Sequence, residues 1–355
     1  MINWIIINAN NISLGLGMRI LATADTHLGF NAGRTADARK IIYNRVFEAF
    51  ESILKIAYDE KADAVLHAGD LFNRSKPPRA VISRTYNLLE NLLDQDIGFI
   101  VVPGNHDRSR LPSTLLNTFY KSGHFLYRLT KVDLGEFSVI GFPYNGKTPK
   151  AMLSKINQKT GKLGKKPVIV LCHQLFDGAV YGPHQFRFTN HARSDVLQAS
   201  ILPNPVKLIV TGHIHRAQTL QSNRVVYPGS LERTSFAEAI EPKGYLAIEI
   251  NSEALSVEFR EITTFPMDVL EINIMGSALD YSEIAEQLSG YSGRAMLRLT
   301  GRPLTLEESV ELFKKFPARD WPYLAIAPSS PNRTLHSLYN RRQLPFRFRK
   351  FTMEI

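Results

Sequence analysis

Five short stretches of the chain hold the side chains best suited to chemistry: Asp25-Thr26-His27, Gly69-Asp70, Gly104-Asn105-His106-Asp107, His173 and Gly212-His213-Ile214-His215. Together they offer the carboxylate, imidazole and amide donors that two divalent ions roughly 3.5–4 Å apart need to hold a phosphate, acidify water and neutralise a leaving oxygen. Asp25 and His27 lie two residues apart, so at an extended strand end they face the same side and can share one ion. Asp70 ends an apolar run, where an unpaired carboxylate is costly, and its two oxygens suit it to bridge two ions. Asn105 brings a hard, neutral amide oxygen of the kind manganese or magnesium accepts. His106, next to it, is left free for proton work near neutral pH, and Asp107 is expected to orient its ring. His213 and His215 supply one ligand to each ion, and His173 supplies another.

Five of the ten histidines fall in this ordered pattern. A single one would read as structural, whereas the whole series with two aspartates and an asparagine reads as a metal site. His67, His124, His184, His191 and His336 lack that context and read as structural or surface residues, with His184 and His191 as candidate substrate contacts.

The elements that must position these residues are legible as apolar runs. Ile20–Ala24, Ala64–His67 and Gly98–Val102 read as strands that end just before Asp25, Gly69-Asp70 and Gly104-Asn105. Between the first two, Ile42, Val46, Phe50, Ile53, Leu54 and Ala57 have the spacing of a core-facing helix over Arg39–Tyr58, which implies a parallel crossover. Val81–Leu93 reads as a second helix. Ser138–Gly141, Val168–Cys172 and Leu208–Thr211 read as further strands, the last two delivering His173 and the His213/His215 pair. In open α/β sheets, ligands bind beyond the carboxyl ends of strands, which is where these residues fall. Arg224–Tyr227, Gly244–Ile250 and Leu255–Ile262 read as antiparallel strands closing a second sheet. Gly161–Pro167 reads as a basic exposed loop. After Phe265-Pro266 the pattern changes. Strands Met267–Ile274, Arg294–Leu299 and Tyr323–Ile326 with helices Tyr281–Leu288 and Leu306–Phe316 read as a separate small α/β unit.

Length and composition set the frame. A chain of 355 residues favours one large α/β domain and a smaller one, and 44% hydrophobic with 21% charged residues is ordinary for a globular protein. The formal net charge of +10 favours a polyanionic partner such as nucleic acid. A single cysteine, Cys172, excludes an intrachain disulfide, fits a reducing cytoplasm, and sits in an apolar run as a buried inert thiol. Residues 1–17 are read as an N-terminal extension: Trp4–Ile7 is too short for a signal peptide, and Met18 is an alternative start to Met1. No run has the length of a membrane span.

The ordered set Asp25-x-His27, Gly69-Asp70, Gly104-Asn105-His106-Asp107, His173 and Gly212-His213-x-His215 resembles the calcineurin-like metallophosphoesterase superfamily. Within it, Gly69-Asp70-Leu71-Phe72 followed by Pro77, and Tyr227-Pro228-Gly229-Ser230-Leu231-Glu232-Arg233, resemble the SbcD-type DNA double-strand-break repair exonucleases, over Met18–Ile262. That resemblance implies a four-layer α/β/β/α sandwich over residues 18–264 and a small C-terminal α/β cap facing DNA over residues 265–330. It implies one ion held by Asp25, His27, Asp70 and His215 and a second by Asp70, Asn105, His173 and His213, with manganese as the metal and His106 as the catalytic histidine. It also implies homodimerisation, an SbcC-type SMC-like ATPase partner, and cleavage at double-stranded DNA ends and hairpins. Residues 331–355 remain as a basic tail: Arg333, Arg341, Arg342, Arg347, Arg349 and Lys350 interleave with Tyr339, Phe346 and Phe348. Such a tail suits phosphate contact with base stacking, or equally solvent or a partner surface. Two other functions fit the same residues: a small-substrate phosphoesterase of the same fold, such as a cyclic-nucleotide phosphodiesterase or phosphatase, and a DNA-end tethering protein with incidental catalysis.

Overall fold

The computed structural model describes residues 5–6, 17–107, 123–135, 137–147, 149–160, 166–182, 185–189, 194–202, 205–251, 254–274, 279–327 and 350–354. His184, His191, His336, most of the N-terminal extension, the 161–165 part of the basic loop and the 331–349 part of the basic tail lie outside these residues.

Strand alternation decides the layering, because successive side chains of a strand face opposite sides of its sheet. In the strand Met18–Thr23, Ile20 and Ala22 enter a core shared with Val139, Ile169, Leu171, Leu208 and Val210, whereas Leu21 packs with Val46, Phe47, Phe50 and Ile53. Those last four belong to the helix Ala36–Asp59, which Thr35 caps by accepting from the Ala38 N–H. In Val206–Thr211, Leu208 and Val210 face the shared core, and Ile209 packs on the other side with Leu153 and Ile156 of the helix Pro149–Thr160. Passing through the molecule one meets helix, sheet, sheet and helix, the α/β/β/α order expected.

One seven-stranded sheet runs Lys350–Glu354, Ala254–Glu261, Gly244–Ile250, Met18–Thr23, Ala64–His67, Gly98–Val101 and Gly123–Phe125. Its last four strands are mutually parallel and the others join antiparallel. The second seven-stranded sheet runs Ile5–Ile6, Thr130–Asp133, Ser138–Gly141, Val168–Cys172, Val206–Thr211, Val225–Tyr227 and Gln218–Leu220.

The expectation of one antiparallel group over Arg224–Ile262 is corrected. Val225–Tyr227 runs parallel to Val206–Thr211 in the second sheet, while Gly244–Ile250 joins the first, antiparallel to both Met18–Thr23 and Ala254–Glu261. Leu246 and Ile248 face the core between the sheets, so their pattern suits a strand of either one. Periodicity specifies the inward face, not the hydrogen-bonded neighbour.

Met267–Asn273, Arg294–Thr300 and Leu324–Ala327 form a parallel three-stranded sheet, with helices Tyr281–Leu288 and Leu306–Lys315 in its crossovers. Ile272, Ile284, Leu288, Leu297, Leu299 and Leu312 give this unit its own core. It is tied to the sandwich by Arg34, whose backbone N–H donates to Pro322 O at 2.8 Å and whose Nη1 donates to Phe316 O at 2.9 Å. Arg294 Nη1 donates to Arg233 O at 3.0 Å in a second tie. Lys350–Glu354, within the stretch read as a tail, is the edge strand on Ala254–Glu261. Among the described residues no helix is long and apolar enough to cross a membrane.

Candidate metal centre

Both large sheets end at the same side of the sandwich. The loops after Met18–Thr23, Ala64–His67 and Gly98–Val101 carry Asp25, His27, Asp70, Asn105 and His106, and those after Val168–Cys172 and Val206–Thr211 carry His173, His213 and His215. Backbone conformation in these loops is unusual: Asp25, His27, Asp70 and His213 have φ of 50°, 51°, 53° and 87°. A left-handed conformation costs a non-glycine residue about 1–3 kcal/mol and persists only where neighbours over-determine it. Here the Asp25 and His27 N–H groups donate to Gly69 O and Asp70 O at 2.9 and 3.0 Å, and the His213 N–H donates to both Asp25 carboxylate oxygens at 3.1 Å. Glycines make room for this crossing. A Cβ at Gly69 would lie 2.5 Å from His173 Nδ1, and one at Gly104 would overlap the Asp70 carboxylate.

The donor atoms converge. Asp25, His27 and His215 each offer one within 4.8 Å of the others, as do Asp25, Asp70 and His173, and His27, Asp70 and His106. His27 Nε2 and His215 Nε2 are 3.1 Å apart. Asn105 Oδ1 lies 3.0 Å from His173 Nε2 and 2.8 Å from His213 Nδ1. Asp70 Oδ2 stands between the groups, 3.4 Å from His173 Nε2 and 3.8 Å from His27 Nε2. Two donors each roughly 2.1 Å from one ion at right angles lie roughly 3 Å apart, so these separations fit ligands around shared ions.

Electrostatics agree with that fit. Burial, and next the neighbouring imidazoles, hold His27 and His213 down to about 3, so both stay neutral with lone pairs available. His173 is pushed up to about 9: burial opposes its charge, but Asp70 and Asp25 outweigh it. Burial raises Asp25, whereas for Asp70 the pull of His173 overcomes burial and holds it below the usual carboxylate range. His27 and His213 thus face the buried carboxylates with free lone pairs, while His173 holds a proton that a divalent cation between it and Asp70 would displace.

The expected role of Asp107 is corrected. Its carboxylate accepts from the backbone N–H groups of Leu71, Phe72 and Gly104 at 3.2, 3.0 and 3.0 Å, binding the Asp70 loop to the Asn105 loop. Burial and Asp70 push Asp107 up to about 6 against those bonds. The His106 ring instead finds its partner at Asn73 O, to which Nδ1 donates at 3.0 Å. His106 is exposed, and its ring centroid lies 4.7 Å from that of His27. His67 is a buried structural residue whose Nε2 pairs with Thr26 Oγ1 at 2.8 Å, and Tyr227 is buried, its hydroxyl donating to Gln174 O at 3.0 Å. Cys172 is buried and its thiol is pushed up to about 12 by desolvation.

Sequence reasoning missed Glu238 and Lys243, which lie behind His215: Glu238 Oε1 meets His215 Nδ1 at 3.1 Å and Lys243 Nζ donates to Glu238 Oε2 at 2.7 Å. Neither residue follows a strand-glycine signal. A cleft of about 640 Å³ opens next to them between Tyr181, Phe186, Thr234, Phe236, Arg294 and Arg298.

The profile of the calcineurin-like phosphoesterases matches residues 18–217. The chain is similar to the DNA double-strand break repair protein Mre11 of Haloferax volcanii, 26% identical over 260 residues that cover 73% of this chain and 55% of that protein. It is similar to the Mre11 of Methanosarcina acetivorans, 29% identical over 279 residues, covering 75% of this chain and 42% of that one. It is also similar to a component of the nuclease SbcCD of Staphylococcus saprophyticus, 24% identical over 279 residues, covering 72% of this chain and 71% of that one. The chain spans about half the length of the two Mre11 proteins. With a profile match over more than half its length that includes every donor of the cluster, the chain belongs to the calcineurin-like phosphoesterase family.

Proposed function

We propose that the chain is a manganese-dependent DNA nuclease that hydrolyses phosphodiester bonds at DNA ends in double-strand-break repair. The observation that carries this reading is the convergence of donors at one place, Asp25 with His27 and His215 and Asp25 with Asp70 and His173, each set within 4.8 Å. Asp25, His27, Asp70 and His215 would hold one ion, and Asp70, Asn105, His173 and His213 the other. When bound, such ions polarise a phosphodiester and make water acidic enough to be a nucleophile at neutral pH.

The chain's own residues supply the rest. Asp70 and Asp25 set the negative charge that gathers the ions, and the neutral His27 and His213 present lone pairs without a competing proton. His106 has its Nδ1–H committed to Asn73 O, so as an imidazolium it would give the Nε2 proton to the departing sugar oxygen and be left as the neutral Nδ1–H ring. Asp107 fixes the two loops in register and stays away from the reacting atoms.

A nucleic-acid substrate is supported by the names of the Mre11 and SbcCD relatives, by the +10 charge, and by the aromatic and arginine-lined cleft beside Thr234. On this reading residues 18–264 are the nuclease domain and 265–330 a DNA-facing cap. A homodimer working with an SbcC-type ATPase, trimming from the 3′ side and opening hairpins, completes the proposal. Its test is hydrolysis of end-labelled duplex DNA with Mn²⁺, beside EDTA and a small chromogenic phosphodiester. Shortening of DNA that EDTA and Asp70→Ala abolish is the expected result; turnover of the small ester alone assigns a small-substrate phosphoesterase instead.

A further inference from the structure

Histidines of the centre differ in what holds the ring nitrogen remote from the donor cluster. His173 Nδ1 donates to the backbone carbonyl of Ala68 at 2.7 Å. Buried His27 Nδ1 has no hydrogen-bond partner among the described residues. His215 Nδ1 faces a carboxylate, Glu238 Oε1, at 3.1 Å.

That carboxylate is itself held on every side. Thr234 Oγ1 donates to Oε1 at 3.0 Å, and Ser230 Oγ and Lys243 Nζ donate to Oε2 at 3.2 and 2.7 Å. Lys243 Nζ also donates to the backbone carbonyl of His215 at 2.8 Å and to Glu241 Oε2 at 3.3 Å. Lys243 therefore grips the main chain of His215 and, through Glu238, its ring. Glu238 and Lys243 are only 3% and 1% exposed. A buried ion pair is a poor stabilising device, since an apolar pair of similar size often does as well. One that ends on a histidine of a donor cluster has another use: it fixes the tautomer with hydrogen on Nδ1, aims the Nε2 lone pair inward, and makes the imidazole a stronger donor.

We propose that Glu238, backed by Lys243, is a positioning residue that sets the affinity for the ion held by Asp25, His27 and His215. In the other half of the centre a backbone carbonyl orients His173, and His213 Nδ1 meets Asn105 Oδ1, so neither ring leans on Glu238. This inference rests on the reading of the cluster as a two-ion centre and not on the identity of the substrate.

The test is Mn²⁺ binding to the full chain by calorimetry, with urea unfolding and imidazole ¹⁵N spectra of His215 alongside. Glu238→Gln keeps an acceptor but removes the charge; the double variant Glu238→Leu with Lys243→Met removes both charges together and protects the fold. Both are expected to lose about 10–100-fold in affinity for one of two Mn²⁺ ions and to leave the other unchanged. In the double variant His215 shifts from a single Nδ1–H tautomer to a mixture. If wild type binds two ions and both variants do so equally well, the positioning role is wrong and the metal centre stands. Equal loss at both sites together with a lower unfolding midpoint makes the network merely structural and also overturns the proposal. A wild-type chain that binds no Mn²⁺ removes the metal centre and this inference with it.

Discussion

His106 and Asp107 are adjacent in sequence and opposite in role, and their variants separate accordingly. His106 is exposed and its side chain bonds one backbone carbonyl, so His106→Ala is expected to change stability by no more than about 0.5 kcal/mol. On the proposed mechanism, loss of its proton transfer is expected to slow DNA cleavage about 10²–10⁴-fold. Asp107→Ala strands the N–H groups of Leu71, Phe72 and Gly104 in a buried place. Each orphaned donor costs about 1–3 kcal/mol, so this variant is expected to lose about 3 kcal/mol or more in urea unfolding before any activity is considered. Equal stability of the two variants would refute the division. Sequence revealed the donors because each follows an apolar run, most through a glycine, as at Gly69-Asp70 and Gly212-His213. It could not reveal what Asp107 bonds, since three backbone amides look like nothing in a sequence. Glu238, in a short turn at Phe236–Glu238, carries no local signal for its contact with His215 either.

At the scale of elements, the apolar period was a faithful guide. Ile42, Val46, Phe50, Ile53, Leu54 and Ala57, which define the first helix by spacing, are all buried in Ala36–Asp59. The helix Pro149–Thr160 escaped notice although Met152, Leu153 and Ile156, which pack in one core, have helical spacing, because that stripe covers only two turns and residues 157–160 are polar. Strand pairing escaped for another reason, as Gly244–Ile250 shows: its partner, Met18–Thr23, is more than two hundred residues away in the chain. The helix Leu306–Lys315 carries its own test. Thr305 Oγ1 accepts from the Glu308 N–H at 3.1 Å and Glu308 Oε2 accepts from the Thr305 N–H at 2.9 Å, a reciprocal cap worth about 1 kcal/mol. Glu308 also pairs with Arg302 and accepts from the Leu279 N–H at 3.0 Å, and these bonds, Arg302 first, hold its carboxyl down to about 2 from an ordinary 4.5. A carboxyl depressed by folding stabilises fully above its unfolded value and loses that contribution as pH falls through the folded one. Unfolding of the Met267–Ala327 unit, followed by Trp321 fluorescence, is therefore expected to become easier between pH 4.5 and about 2 in wild type, and Glu308→Gln is expected to flatten that dependence. An unchanged acid slope in the variant would show that other groups govern it.

For the whole molecule, the decisive arrangement is two sheets packed face to face with their strand ends on one side. Donors separated by up to 190 positions, Asp25 to His215, come within bonding range only because both sheets share the core built on Ile20, Ala22, Leu208 and Val210. The small C-terminal unit is tied to the same side: Arg294 reaches Arg233, and Phe265 N–H donates to Glu232 Oε2 at 2.8 Å. Both ties anchor in the stretch that carries Ser230 and Thr234, whose hydroxyls contact Glu238 behind His215. The most direct measurement is anomalous scattering from a crystal of the chain grown with Mn²⁺. Two peaks are expected, one among Asp25, His27, Asp70 and His215 and one among Asp70, Asn105, His173 and His213, with Asp70 shared. A crystal with no manganese at these side chains, or with a single ion that leaves His27 and His215 in contact with each other alone, would contradict the two-ion centre.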